Sequence, residues 1–110
     1  IERTPRIDLE TLSLTHRQAQ APLIIDVRQR SEFRGGHISG ALNIELGELQ
    51  EHLDGLPREV PMVIVCAGGI RATTAGSILQ RNGRDNVQVV DDQGTPAWIA
   101  RGYPVETGDQ

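Results

Sequence analysis

The chain is poor in several residue types at once: no lysine, one cysteine, one methionine, and a single phenylalanine, tryptophan and tyrosine in 110 residues. Each scarcity excludes something. With Phe33, Trp98 and Tyr103 as the only aromatics, the core must be built from leucine, isoleucine, valine and alanine. One cysteine cannot close an internal disulfide, which fits a reducing compartment, so a cytoplasmic location is expected. No apolar run approaches the length of a membrane span and no signal-peptide pattern opens the chain, so no membrane partner is expected. All eleven cationic residues are arginine and the net charge is −4, which leaves no basic footprint for nucleic acid. Among His16, His37 and His52 no pair has metal-ligand spacing, so neither a metal nor another cofactor is expected. There are no internal repeats or low-complexity stretches. The length suits one small domain over residues 1–110. Because the first residue is Ile1 rather than methionine, a domain cut from a longer polypeptide is expected.

The apolar residues that are present fall into short runs. Leu23-Ile24-Ile25-Asp26-Val27 and Met62-Val63-Ile64-Val65 read as central strands buried on both faces of a parallel sheet, and Val87-Gln88-Val89-Val90 as a third strand ending at Asp91-Asp92. Between them the period becomes helical. Leu46, Leu49, Leu53 and Leu56 share one helix face, with Glu45 and Glu48 near its start and Gly55 and Pro57 as its stop. Ala72, Ala75, Gly76 and Leu79 form a small-residue stripe suited to close packing on a sheet, ended by Gly83. Thr95 to Ala100 reads as a last short helix, and Arg6 to Gln20 as a short strand at Ile7 followed by a helix carrying Leu9 and Leu12. Thr107 to Gln110 is expected to fray. Alternating strands and helices predict an α/β sandwich with a mostly parallel sheet, whose ligand site lies beyond the carboxyl ends of the strands. Arg28, Cys66 and Asp91 each follow a strand, so the topology should bring them to one rim.

Cys66 is the most informative residue on that rim. It stands in Val-Ile-Val-Cys-Ala-Gly-Gly-Ile-Arg-Ala, between a strand and the first turn of a helix. Backbone N–H groups and a helix N-terminus converge at such a turn and push a thiol toward thiolate, its nucleophilic form. Arg71 adds a fixed positive charge to the same loop. A lone cysteine is more often a small buried hydrophobe, but Gly68 and Gly69 supply backbone freedom and close approach that a plain core position does not need. Asp26 and Arg28 read as scaffold, with Arg28 and Glu32 spaced four apart as an ion pair. Gly36-His37-Ile38 reads as a structural turn rather than a general base. His16 and His52 are expected to be exposed, and Trp98 to pack at the last helix.

Three separated stretches, in order, identify a family. They are Ile25-Asp26-Val27-Arg28 with Glu32-Phe33 and Gly36-His37-Ile38-Ser39-Gly40-Ala41-Leu42-Asn43-Ile44; then Cys66-Ala67-Gly68-Gly69-Ile70-Arg71-Ala72; then Gly94, Ala97-Trp98 and Gly102-Tyr103-Pro104-Val105. Over nearly its whole length the chain resembles a rhodanese-like sulfurtransferase domain. The resemblance implies a three-layer sandwich around a five-stranded, mostly parallel sheet, flanked by helices on both faces. It implies that Cys66 is catalytic and carries a persulfide. The loop of Ala67, Gly68, Gly69, Ile70, Arg71 and Ala72 would bind substrate, and Asp26, Arg28, Glu32 and His37 would support the site. The partners it implies are a small sulfur donor, thiosulfate or a persulfide, and a thiol or cyanide acceptor. Two departures stand out: Gln93-Gly94 replaces the family's usual Gly-Gly pair, and Ala67, Gly68 and Ile70 stand where members that process thiosulfate well often carry basic side chains. Competing readings are a sulfur-relay or recognition module of a multidomain protein, such as one fused to another sulfur-metabolism domain, and a cysteine-dependent phosphatase. Loops of the last kind place five residues between cysteine and arginine; here there are four.

Overall fold

A short run that is apolar at every position can be buried on both faces at once, and these runs lie at the centre of a parallel sheet. The computed structural model describes residues 4–91 and 93–109. Along the chain the elements are α1 (Leu9–His16), β1 (Leu23–Asp26), α2 (Arg30–Gly35), β2 (His37–Ile38), β3 (Leu42–Asn43), α3 (Leu49–His52), β4 (Met62–Val65), α4 (Ile70–Arg81), β5 (Val87–Val89), α5 (Thr95–Ala100) and β6 (Val105–Glu106). The main sheet has the order β3-β1-β4-β5. All its pairings are parallel, with Ile24 opposite Val63 and Ile64 opposite Val89. The fifth position is held by a single bridged residue, Arg6, beside Val89. The Ile7 N–H donates to the Val89 carbonyl at 3.0 Å and the Val89 N–H to the Pro5 carbonyl at 2.9 Å. Pro5 has no N–H to lengthen this ladder, and Asp8 at once turns the chain into α1 by accepting the Thr11 N–H at 2.7 Å.

Alternate strand residues face opposite layers. Ile25, Ile64, Val87 and Val89 pack with Leu49, Leu53, Ala75 and Leu79, whereas Ile24, Val63 and Val65 meet Leu9, Leu12, Phe33 and Trp98. Helices therefore cover both faces, as the three-layer reading requires. The small-residue stripe of α4 is buried as expected, and it lies so close to the sheet that a Cβ on Gly76 would come within 2.6 Å of a Val89 methyl.

Three expectations need correction. The segment from Leu46 to Leu56 is not one helix: it divides into a 3₁₀ turn (Leu46–Glu48), α3, and a second 3₁₀ turn (Leu53–Gly55). Gly47 and Gly55 disfavour a continuous α-helix, while the short 3₁₀ pieces still bury Leu49, Leu53 and Leu56. Thr107 to Asp109 does not fray. The Gly108 N–H donates to the Arg34 carbonyl at 2.9 Å, and Asp109 pairs with the Arg34 guanidinium at 2.7 Å; Gln110 lies outside the described residues. His16 is not fully exposed either: it packs edge-on against Trp98, with Nε2 2.7 Å from the Ser39 carbonyl. No helix among the described residues is long and apolar enough to cross a membrane.

Candidate active site

Strand β4 delivers its apolar residues to the sheet centre and its successor, Cys66, to the carboxyl rim. After three intervening residues α4 begins at Ile70. Gly69 makes this tight join possible: its φ is +108°, in the left-handed region, and a Cβ there would stand 1.9 Å from the Asp91 carbonyl oxygen. The turn brings two backbone donors onto one sulfur. The Gly69 N–H lies 3.0 Å from Cys66 Sγ and the Ala72 N–H 3.4 Å from it. Ala72 is in the first turn of α4, where N–H groups have no partner inside the helix. Cys66 itself is 1% exposed. Donors already aimed at a buried sulfur favour negative charge on it. Of the two loop glycines only Gly69 is required by conformation; Gly68 is exposed, is not left-handed, and has open space where a Cβ would lie.

The rim is held from the opposite side by a buried carboxylate. Asp26, with no exposed surface, accepts the Arg28 N–H and the Arg28 guanidinium, and also the Thr95 hydroxyl at 3.1 Å. Arg28 in turn donates to the Gly36 carbonyl at 2.8 Å. Thr95 closes the circuit, because its N–H donates to the Cys66 carbonyl at 2.9 Å. One hydrogen-bonded chain thus runs from β1 through the start of α5 to the cysteine backbone. Gly94 lets α5 approach so closely: a Cβ there would stand 1.8 Å from the Cys66 carbonyl oxygen. Asn43, across the sheet edge, donates to the carbonyls of both Asp26 and Arg28 at 3.0 Å.

Asp26 and Arg28, expected as scaffold, are bonded to each other within the rim. The expected Arg28–Glu32 ion pair does not form. Arg28 precedes α2, so the four-residue spacing never becomes a helical turn, and its guanidinium is committed to Asp26. Glu32 instead grips Arg71 with both oxygens, at 2.8 and 3.1 Å. The hydrogen bonds that Arg71 donates hold the Glu32 carboxyl below its usual range, and the same bonds raise the Arg71 guanidinium above its own, with the charges of Glu32, Cys66 and Asp26 adding to the effect. Since the folded carboxyl is depressed, the pair is intact above the ordinary glutamate range and is lost only as pH falls below it. His37 is buried in β2, stacked on the Phe33 ring at 3.6 Å, with Nδ1 donating to the Phe33 carbonyl at 2.8 Å. Ala67 is half-buried, and Ile70 stands 83% exposed at the mouth. Asp91 pairs with Arg6 at 2.7 Å, and Gln93 accepts a hydrogen bond from Arg101; Asp92 lies outside the described residues. Among the described residues no group of three or more histidine, cysteine, aspartate or glutamate side chains is placed to hold a metal ion. Gly94 and Thr95 are the site residues that sequence reasoning missed. Gly94 was one of the family-like positions, but nothing local revealed that its Cα would abut the cysteine backbone.

A family model for the rhodanese-like domain matches residues 10–101. The chain belongs to the rhodanese-like family. It is 33% identical over 81 residues to the thiosulfate sulfurtransferase GlpE of Shewanella oneidensis, covering 74% of this chain and 79% of that one. It is 36% identical over 97 residues to the HTH-type transcriptional regulator Rv0324 of Mycobacterium tuberculosis, covering 86% of this chain. The chain spans 42% of that regulator's length and 52% of another curated relative's. A rhodanese-related protein from Thermoplasma volcanium superposes with a TM-score of 0.84 at 31% identity, covering 94% of this chain and 99% of that one. A protein from Rhodopseudomonas palustris named as a possible tyrosine phosphatase also superposes at 0.84, with 25% identity, covering 94% of this chain and 85% of that one.

Proposed function

We propose that this rhodanese-like domain is a sulfurtransferase that carries sulfane sulfur on Cys66. The observation behind this reading is the convergence of the Gly69 and Ala72 amides on one buried sulfur. In the first half-reaction the Cys66 thiolate attacks the outer sulfur of thiosulfate. The S–S bond of the donor breaks, sulfite leaves with the bonding pair, and Cys66 becomes a persulfide. In the second, an acceptor thiolate or cyanide attacks the terminal sulfur, leaving as a persulfide or as thiocyanate and regenerating the Cys66 thiolate. This is covalent nucleophilic catalysis with ping-pong kinetics. Each aimed amide is worth about 3 kcal/mol, by analogy with oxyanion holes. No base is needed, and His37, stacked on Phe33, is not assigned one.

The phosphatase reading draws on the Rhodopseudomonas palustris neighbour. Two features weigh against it: the loop has four residues between Cys66 and Arg71, and the arginine that would grip phosphoryl oxygens is occupied by Glu32. A relay role inside a longer protein keeps the same Cys66 chemistry and differs only in the acceptor. The test is sulfur transfer from thiosulfate to cyanide by the wild type and by Cys66→Ser. The hydroxyl is near-isosteric and far less nucleophilic, so turnover should fall at least about a thousandfold with the fold intact. Wild-type turnover in the serine variant, or hydrolysis of an aryl phosphate by the wild type without sulfur transfer, contradicts the assignment.

A further inference from the structure

Among the described residues three acid–base pairs stand around the cysteine rim. Asp26 pairs with Arg28, Asp91 with Arg6, and Glu32 with Arg71. Arg71 is the only cationic side chain in the cysteine loop, and the bidentate geometry commits its guanidinium fork to a carboxylate rather than to a substrate. Beside it the mouth offers Ile70, an apolar side chain 83% exposed. A dianion entering here meets backbone amides but no uncompensated loop cation, and the Glu32 carboxylate stands close by. A donor with little charge at its outer sulfur and carbon behind it meets no such repulsion and can lay its apolar part against Ile70.

We infer that Glu32 is a specificity-determining residue that, by holding Arg71, turns the site away from dianionic thiosulfate and toward organic persulfides. The inference rests on the sulfurtransferase reading. With such a donor the Cys66 thiolate attacks the terminal sulfur of R–S–SH, the S–S bond of the donor breaks, and the thiolate RS⁻ departs with the bonding pair while the proton stays with the new Cys66 persulfide. The charge leaving the site is single, whereas thiosulfate brings in two negative charges and sends two out as sulfite. Glu32 acts through Arg71 and touches no reacting atom; it is a positioning residue.

The discriminating variant is Glu32→Gln. The Gln29 N–H donates to Glu32 Oε1 at 3.2 Å, and a glutamine oxygen can still accept that bond at the start of α2, while the charge that neutralises Arg71 is gone. The readout is the rate of sulfur loading on Cys66, followed by intact mass, with thiosulfate and with cysteine persulfide as donors. The pair is partly exposed, so the expected gain is moderate: thiosulfate loading rises about five- to tenfold, and cysteine persulfide loading changes less than about twofold. Adding Arg71→Ala to Glu32→Gln should abolish the gain. In the wild type, thiosulfate loading should depend only weakly on ionic strength, and in Glu32→Gln it should fall with added salt. Parallel changes for both donors, a gain that survives Arg71→Ala, or steep salt dependence already in the wild type overturns the inference while leaving sulfur transfer standing. A wild type that loads from neither donor overturns the sulfurtransferase reading itself.

Discussion

Asp26 is the residue on which the rim depends most heavily, because it satisfies Arg28 and Thr95 at once in a site with no exposed surface. Removing one member of a buried ion pair leaves the other charge desolvated without compensation, a loss of about 3–5 kcal/mol. Asp26→Ala should therefore lower the unfolding free energy by that much, seen as a lower denaturant midpoint at an unchanged m-value, and a loss below about 1 kcal/mol would show that the pair is not a buried support. At this scale the sequence was legible where chemistry is local. Cys66, Arg71 and the loop glycines could be read from one stretch, whereas His37, expected in a turn, lies in the strand β2. Partners set by tertiary contact could not be read. Glu32 meets Arg71 across 39 residues, and the nearer candidate, Arg28, lies outside the helix that would have made a four-residue spacing a contact. The missed Thr95 belongs to the same class, joined to Asp26 across 69 residues.

Among elements, the join between β4 and α4 and the start of α5 form one backbone-to-backbone contact that admits no side chain. Gly94→Ala would force a Cβ to 1.8 Å from the Cys66 carbonyl oxygen, and backbone cannot yield as a flexible side chain can. The expected cost is about 3 kcal/mol or more of stability, with sulfur transfer lost because the amides are no longer aimed. Gly68→Ala, two residues from the cysteine but with open space around it, should fold normally and retain turnover within about threefold. Thermal unfolding and thiosulfate-to-cyanide turnover measured on both variants check the pair; equal sensitivity would show that loop glycine content, not close approach, sets the geometry. Elements with a full period were readable in advance: β1, β4 and α5 fall within a residue of their expected limits, and α4 ends just before the expected stop at Gly83. The two-residue strands β2, β3 and β6 carry too little pattern to be seen, although β3 completes the main sheet and the β2–β6 ribbon holds His37.

For the whole molecule, the parallel sheet order places the ends of β1 and β4 side by side, with the segments beyond β5 and at the start of α5 closing around them. The cysteine is thereby carried to the rim while remaining 1% exposed. Such a site suits a reaction at a single sulfur atom, reached by a small donor or by the projecting sulfur of a larger one. The proposed reaction stands or falls on a persulfide forming on Cys66. The most direct measurement is intact mass of the purified protein after exposure to a sulfane-sulfur donor, and again after cyanide. The account predicts an added mass of one sulfur atom, absent in Cys66→Ser and removed by cyanide as thiocyanate. No adduct with either donor, or an adduct that persists in Cys66→Ser, would contradict it.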